Sequence, residues 1–424
     1  MTRRNIAIIG SGVSGMTAGY VLSRTDYVTL FEADGRLGGH AVTHMVVPPT
    51  GPKKPPIGVD TGFIVYNERT YPLLTQMFAE LGVATQASEM SMSVRCAGCG
   101  LQYAGQRGLG GLTPGFRRGR GRYLRMLGEI PRFHRAARRL LADGTNMDLT
   151  LGQFLQDGRF CEYFTAHFAL PLVAAVWSCP PGTALGYPAS YLFAFLANHG
   201  MLSLSGSPPW RTVTGGSRCY VERAAKRLHD IRLSSPVRAV RRHSDGAEVH
   251  DAADQTHHFD AVVIATHPDQ ALRLLDPPTQ AERDVLGAFG YTQNPAVLHT
   301  DLTLLPDRPS IRASWNYELA GCWPAEGGPA PRISYHMNRL QKLPAGEEYI
   351  VTLGGQGVVD PGTVIDKMDY AHPASTPASV AAQRRLPELN TAVTAFAGAY
   401  HGWGFHEDGC RSGAEAARAL GGTW

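Results

Sequence analysis

The sequence predicts an α/β fold, a parallel sheet with helices on its faces and a second, discontinuous α+β part. Three observations predict it. A β-branched apolar run, Asn5-Ile-Ala-Ile-Ile9, leads directly into a glycine turn. A second such run, Tyr27-Val-Thr-Leu-Phe31, ends on a carboxylate, Glu32. Segments of the same character return at Phe259 to Leu275 and from Phe396 onward, far along the 424-residue chain.

The first run reads as a buried parallel strand. Gly10-Ser11-Gly12-Val13-Ser14-Gly15 follows at once, and Met16 to Ser23 reads as a helix. In this pattern the first glycine allows the tight turn and the second lets a pyrophosphate approach the backbone. The third lets helix and strand pack closely, with the anion held on the helix N-terminus. Glu32, 22 residues after Gly10, is placed to accept both hydroxyls of an adenosine ribose. A lone glycine turn is weak evidence, but this one lies between strand and helix with the acid at the required spacing. A Rossmann-like dinucleotide site is therefore expected.

Composition bounds the rest. The chain is 43% hydrophobic and 18% charged, with 48 Gly and 29 Pro, which excludes disordered, collagen-like and coiled-coil proteins. A formal net charge of +4 gives no reason to expect a nucleic-acid partner. Seven cysteines do not make a disulfide framework and fit a reducing, cytoplasmic setting. No apolar stretch reaches the roughly 18 to 20 residues of a membrane span, and the N-terminal run is too short for a signal peptide. Charge is unevenly placed: ten arginines and one acid, Glu129, lie between Arg107 and Arg139. That segment is either a solvated arginine face or a patch facing anionic lipid headgroups, which would put the protein peripherally at a membrane.

The residues after the second strand narrow the cofactor. Glu32-Ala33-Asp-Gly-Arg36-Leu-Gly38-Gly39-His40 resembles the second glycine motif of the FAD-dependent amine oxidase and phytoene desaturase superfamily. The resemblance implies a Rossmann-like FAD-binding domain of the glutathione-reductase/amine-oxidase type. His40 stands where that superfamily usually has Arg, which weakens one cationic contact. Val42 to Val47 and Ile57 to Phe63 read as a hairpin, and Asp60-Thr61-Gly62-Phe63 matches the superfamily segment that passes beside the flavin. Trp210 to Ser217 is similar to its return crossing, and Val237 lies in the strand whose backbone touches adenine. Phe259 to Pro268, containing Ala265, is similar to the strand-turn-helix that follows. Phe396 to Gly409 resembles the last cofactor segment, which lays a helix N-terminus against the flavin; a helix is expected over Cys410–Leu420. Gly398-Ala399 replaces the usual Gly-Asp, so the ribityl contact is expected from Glu407 or Asp408 instead. FAD is expected to be held non-covalently, since no Cys occupies the usual linkage position.

The resemblance divides the chain into a cofactor part (1–85, 205–289 and 380–424) and a discontinuous α+β substrate part (86–204 and 290–379). Gly402 to Gly409, Asn198-His199-Gly200, Pro209 to Ser217 and Met337 to Gln341 bring it nearest a bacterial branch of FAD-binding oxidoreductases. That branch is associated with cyclopropane-fatty-acid-synthase-like methyltransferases, and it resembles the flavoprotein-like half of plant cyclopropane fatty acid synthases. A methyltransferase partner is thereby implied, with no such domain expected within this chain.

Phe168 to Trp177 and Tyr191 to Ala197 are strongly apolar helical stretches. Most of their residues are core, though a hydrophobic pocket needs the same side chains. Ser314 to Tyr317 and Arg332 to His336 alternate as strands. Flavin chemistry removes a hydride equivalent from a positioned C–H bond, so the substrate carbon should adjoin nitrogen or a double bond. Amines and allylic carbons of unsaturated lipids both qualify. Only five lysines are present, and Lys342 is the one candidate for the lysine that many amine oxidases of the superfamily keep near the flavin. The preferred substrate is a small hydrophobic one, an unsaturated acyl chain or phospholipid that is desaturated, oxidised or isomerised. Amine oxidation, carotenoid or terpenoid desaturation, and a scaffold for a lipid methyltransferase are the alternatives.

His199, His336 and His406 are candidate acid/base groups, each also readable as a hydrogen-bonded structural histidine. Tyr400 and Trp403 are candidates to flank the substrate, or to pack the final turn. Cys96-Ala-Gly-Cys99 has the spacing of half a zinc site or a redox pair. With no second pair nearby in sequence, these thiols read as incidental, and no metal is expected.

Overall fold

The computed structural model describes residues 3–48, 55–105, 112, 120–144, 148–203, 206–323 and 331–424. A five-stranded parallel sheet is ordered Asp230–Arg232, Tyr27–Phe31, Asn5–Ile9, Ala261–Ile264, Thr394–Phe396. Ile6, Ile8, Val28, Leu30 and Val263 are fully buried, as strands covered on both faces require. Three segments distant in sequence thus meet in one sheet. The Val13–Leu22 helix follows the first strand and packs along the final helix, His406–Ala419. A Cβ at Gly409 or Gly413 would collide with Val13 or Ser14, so these glycines set the close approach of the two helices.

A seven-stranded sheet draws its strands from two other stretches. Its order is Val364–Ala374, Gly290–His299, Ile350–Leu353, Arg332–His336, Trp315–Leu319, Met92–Cys96, Gln102–Gly105. Helices Leu170–Trp177 and Ala189–Asn198 cover part of it, together with the long helix Arg120–Asp143. Burying Phe133 of the long helix contributes about 2 to 3 kcal/mol. Arg120, Arg122, Arg125, Arg132, Arg135, Arg138 and Arg139 all lie on its exposed face. Arg107, Arg117 and Arg118 of the basic segment lie outside the described residues. Among the described residues no helix is long and apolar enough to cross a membrane.

The expected hairpin forms as Thr43–Val46 against Ile57–Asp60. The final helix begins at His406, four residues before the expected start. His406, Glu407 and Asp408 therefore occupy its first turn rather than a loop.

Candidate active site

A cavity of about 740 Å³ runs along the C-terminal edge of the parallel sheet. Its floor is the first glycine turn. Gly10 has φ +98°, and a Cβ there would sit 2.8 Å from the Ala265 carbonyl oxygen. Gly12 ends the turn, and a Cβ built on it meets nothing within 4 Å. The space above Gly12 is open cavity. The helix starting at Val13 has no side-chain cap and no acid in its first turn, so its free N–H groups face that space. Glu32 lies beside it, accepting from the Ser11 N–H at 2.9 Å and the Asp34 N–H at 2.9 Å. Arg36 is held by its Nη1 donating to the Gly39 carbonyl at 2.9 Å. An open glycine floor, an uncapped helix start and a carboxylate at the strand end fit the pyrophosphate and ribose of FAD.

Of the expected cofactor residues, Gly10, Ser11, Gly12, Val13, Ser14, Glu32, Ala33, Arg36, Gly39, His40, Phe63, Val237, Ala265 and Gly398 line this cavity. His40 Nε2 and the Tyr400 hydroxyl are buried in its wall without a protein partner. Burial, reinforced by His372, His267 and Arg36, pushes the His40 imidazole down to about 3. Burial also lowers His372 to about 4 and depresses His267. The rings of His267 and His372 each lie 5.8 Å from that of His40.

Other expected contact residues lie outside the lining of this cavity. Gly15 and Gly38 pack the turn from behind, with Gly38 N–H donating to Ser11 Oγ at 3.0 Å. The Asp60 carboxylate is enclosed, accepting from Ser217 N–H at 2.9 Å, Thr43 Oγ1 at 2.5 Å and Gln341 Nε2 at 3.0 Å. It ties the hairpin to the Gly215–Ser217 turn, and burial raises its pKa to about 6. Glu407 accepts the Leu73 and Leu74 N–H groups, and Asp408 accepts the Phe405 N–H at 3.0 Å and Arg411 Nη2 at 2.8 Å. Both acids cap helices instead of lining the cavity.

A second, apolar chamber of about 160 Å³ adjoins the first. Phe63, Tyr370, His372, Pro373 and Gly404 line both, so the two spaces join there. Thr61 and Gly62 line the chamber, as does Trp403, whose indole N–H donates to the Tyr191 carbonyl at 3.2 Å. Its other walls include Trp177, Phe195, Trp210, Trp315, Tyr335 and Phe405. Among the described residues no Asp, Glu, Lys or Arg lines it. Four of its hydroxyls pair with one another, Thr61 with Tyr370 at 2.7 Å and Ser178 with Tyr335 at 3.4 Å. Among the described residues no Cys lines either space.

Tyr400 lines the cofactor cavity and Trp403 the chamber. The three candidate histidines line neither. His199 is stacked on Phe195 with Nδ1 3.0 Å from its carbonyl oxygen, and burial lowers it to about 4. His406 sits between Phe63 and the Tyr220 hydroxyl, 3.2 Å away, and burial takes it to about 3. His336 faces Glu348 at 2.9 Å at the far end of its strand. Lys342 is exposed and reaches neither space. The structure adds residues the sequence reading missed: Thr266, His267, Tyr291, and Asp366 to Pro373. His267 follows directly on the Ala265-Thr266 turn, a local signal. The strand Val364–Ala374 carries only its alternation of Met368, Tyr370 and His372.

The family described as flavin containing amine oxidoreductase matches residues 13–301. No match is found among curated proteins. A putrescine oxidase structure bound to putrescine is similar over 99% of each chain, with 15% identity and a TM-score of 0.67. Cyclohexylamine oxidase from Brevibacterium oxydans IH-35A is similar over 99% of each chain, with 16% identity and a TM-score of 0.68. The fatty acid isomerase of P. acnes that produces CLA covers 98% of each chain at 16% identity and a TM-score of 0.64. At these identities the solved structures establish the fold. The family match spans more than half the chain, so this chain belongs to the flavin-containing amine oxidoreductase family and is an FAD-dependent oxidoreductase.

Proposed function

We propose that this enzyme acts on an unsaturated acyl chain, of a fatty acid or phospholipid, by desaturation or double-bond isomerisation. The observation that carries this reading is the chamber, which adjoins the cofactor cavity and has no charged side chain among its described lining residues. Bound FAD supplies an acceptor for a hydride equivalent, and an allylic carbon can yield one because the resulting cation is delocalised. The chain's own residues hold that carbon and exclude water. Phe195 is in ring contact with Trp177, Trp403 and Phe405, the last stacked at 4.5 Å, and the four rings form an apolar wall. Among the described residues His372 is the one imidazole in the chamber, and burial keeps it neutral at pH 7.

An amine is the second reading, favoured by the family and by aromatic rings that can hold an ammonium through cation–π attraction. A diamine dication would enter this chamber without a carboxylate to pair with, at a desolvation cost of several kcal/mol per charge. A volume of about 160 Å³ is below the range of about 300 to 1,000 Å³ usual for drug-sized ligands, which argues for a short length of chain rather than a carotenoid. The exposed arginine face of the long helix, with Leu124 64% exposed beside it, supports delivery from an anionic lipid surface.

Product analysis of the FAD-loaded enzyme tests the reading. Linoleate and a dilinoleoyl phospholipid should give conjugated dienes or a new double bond, while putrescine and cyclohexylamine are returned unchanged. Aldehyde release from either amine, with the acyl chains intact, would refute it. Inertness toward all four, with a methyltransferase co-purifying, would favour the scaffold alternative.

A further inference from the structure

The hairpin between strands Met92–Cys96 and Gln102–Gly105 carries Cys96 and Cys99, and two distant residues close over it. His167 comes from a single turn of π-helix, Thr165–Ala169, and Cys322 from the loop after strand Trp315–Leu319. One ligand atom from each of the four lies within 4.8 Å of the other three. Cys96 Sγ is 3.9 Å from Cys322 Sγ, and Cys99 Sγ is 3.6 Å from His167 Nε2. A tetrahedral zinc ion with Zn–S of about 2.3 Å and Zn–N of about 2.0 to 2.1 Å has S···S edges of about 3.8 Å and S···N edges of about 3.5 Å. Both separations are close to those edges.

The surroundings are built for the same purpose. His167 Nδ1 lies 3.0 Å from the Tyr163 carbonyl oxygen, a hydrogen bond that leaves the Nε2 lone pair facing the thiols. The Tyr163 ring stacks on the imidazole at 4.0 Å, and its hydroxyl is 3.6 Å from Cys99 Sγ. Gly100 has φ +72° and donates its N–H to the Cys96 carbonyl at 2.9 Å, closing the turn under the two thiols. A Cβ at Gly98 would sit 3.0 Å from the Cys322 N, so the hairpin tip approaches the Cys322 loop as closely as glycine allows. Three soft sulfur donors and an imidazole select zinc over hard cations. None of the four residues lines the cofactor cavity or the chamber. Four protein ligands also leave no open coordination position, as in structural rather than catalytic sites.

We propose that Cys96, Cys99, His167 and Cys322 bind one zinc ion, which fastens the helical cover of the substrate region to its sheet. Thiol protons pass to solvent on binding, and no redox step is involved.

The test is metal content of the FAD-loaded enzyme, purified from zinc-supplemented culture without chelator and with any affinity tag removed. We expect about one zinc per chain. Cys322→Ser and His167→Gln should each lose it, while His167→Cys, which completes a four-thiolate set, should keep it. In the wild-type protein three thiols should stay unreactive until an organomercurial titrates them and releases one zinc for the three, and chelation should lower Tm. These wild-type readings decide the matter even if a variant fails to fold. Less than about a tenth of an equivalent of zinc, iron in its place, freely titrating thiols at these positions, or a Cys96–Cys322 disulfide would each overturn the proposal.

Discussion

The Glu407 carboxylate accepts two successive backbone N–H groups, Leu73 at 3.1 Å and Leu74 at 3.0 Å, and so caps the Pro72–Leu81 helix from the first turn of the final one. That helix has no side-chain cap of its own, so an acid 333 residues further on satisfies its free donors. Glu407→Ala should lower stability by about 1 to 2 kcal/mol, the usual effect of losing a cap. FAD affinity should stay within a fewfold of wild type. Thermal unfolding and an FAD titration on the same sample check both, and loss of FAD binding without loss of Tm would return Glu407 to the cofactor.

Gly12 separates folding from cofactor binding. Its φ of −59° and ψ of 173° suit any residue, and a side chain there meets no protein atom within 4 Å. Gly12→Val should therefore fold with a near-native apo Tm. It should bind FAD at least about 100-fold more weakly, because the branched side chain fills the space where a pyrophosphate reaches the helix N–H groups. Yellow, stoichiometrically loaded Gly12→Val protein would show that the pyrophosphate lies elsewhere.

Buried imidazoles around the cavity give the apo protein a defined response to acid. His40 is held at about 3 in the folded chain against an ordinary 6.5. Between those values the unfolded chain binds the extra proton, so stability falls as pH drops below about 6.5. At pH 5 this one residue accounts for a loss of about 2 kcal/mol, and His372, held at about 4, acts in the same direction. Apo Tm measured from pH 7 to pH 5 should fall, and His40→Asn should flatten the slope. A Tm independent of pH over that interval would contradict the burial assigned to these rings.

What could be read in the sequence is what is encoded by neighbours along the chain. The Gly10–Gly15 turn, Glu32 and the Thr43–Asp60 hairpin each follow from a short segment whose backbone permits little else. What could not be read depends on partners brought together by the fold. Glu407 and Asp408 looked available for a cofactor because their capping partners, at Leu73, Leu74 and Phe405, become visible only once the final helix starts at His406. Asp60 was placed in the correct segment, but its carboxylate turns to Thr43, Ser217 and Gln341. The clustering of Cys96 and Cys99 with His167 and Cys322 could not be read because the latter two lie 68 and 226 residues away from Cys99 and Cys96. Tyr370 and His372 reach the cavity from the 290–379 segment of the substrate part, but no local signal singled them out.

The most direct test of the account is an anaerobic titration of the FAD-loaded enzyme, followed by the visible flavin spectrum. Rapid mixing with an unsaturated acyl substrate should draw down the oxidised flavin band, and excess putrescine or cyclohexylamine should leave it untouched. Rapid, stoichiometric bleaching by either amine, with no response to the acyl chain, would contradict the reading of the uncharged chamber.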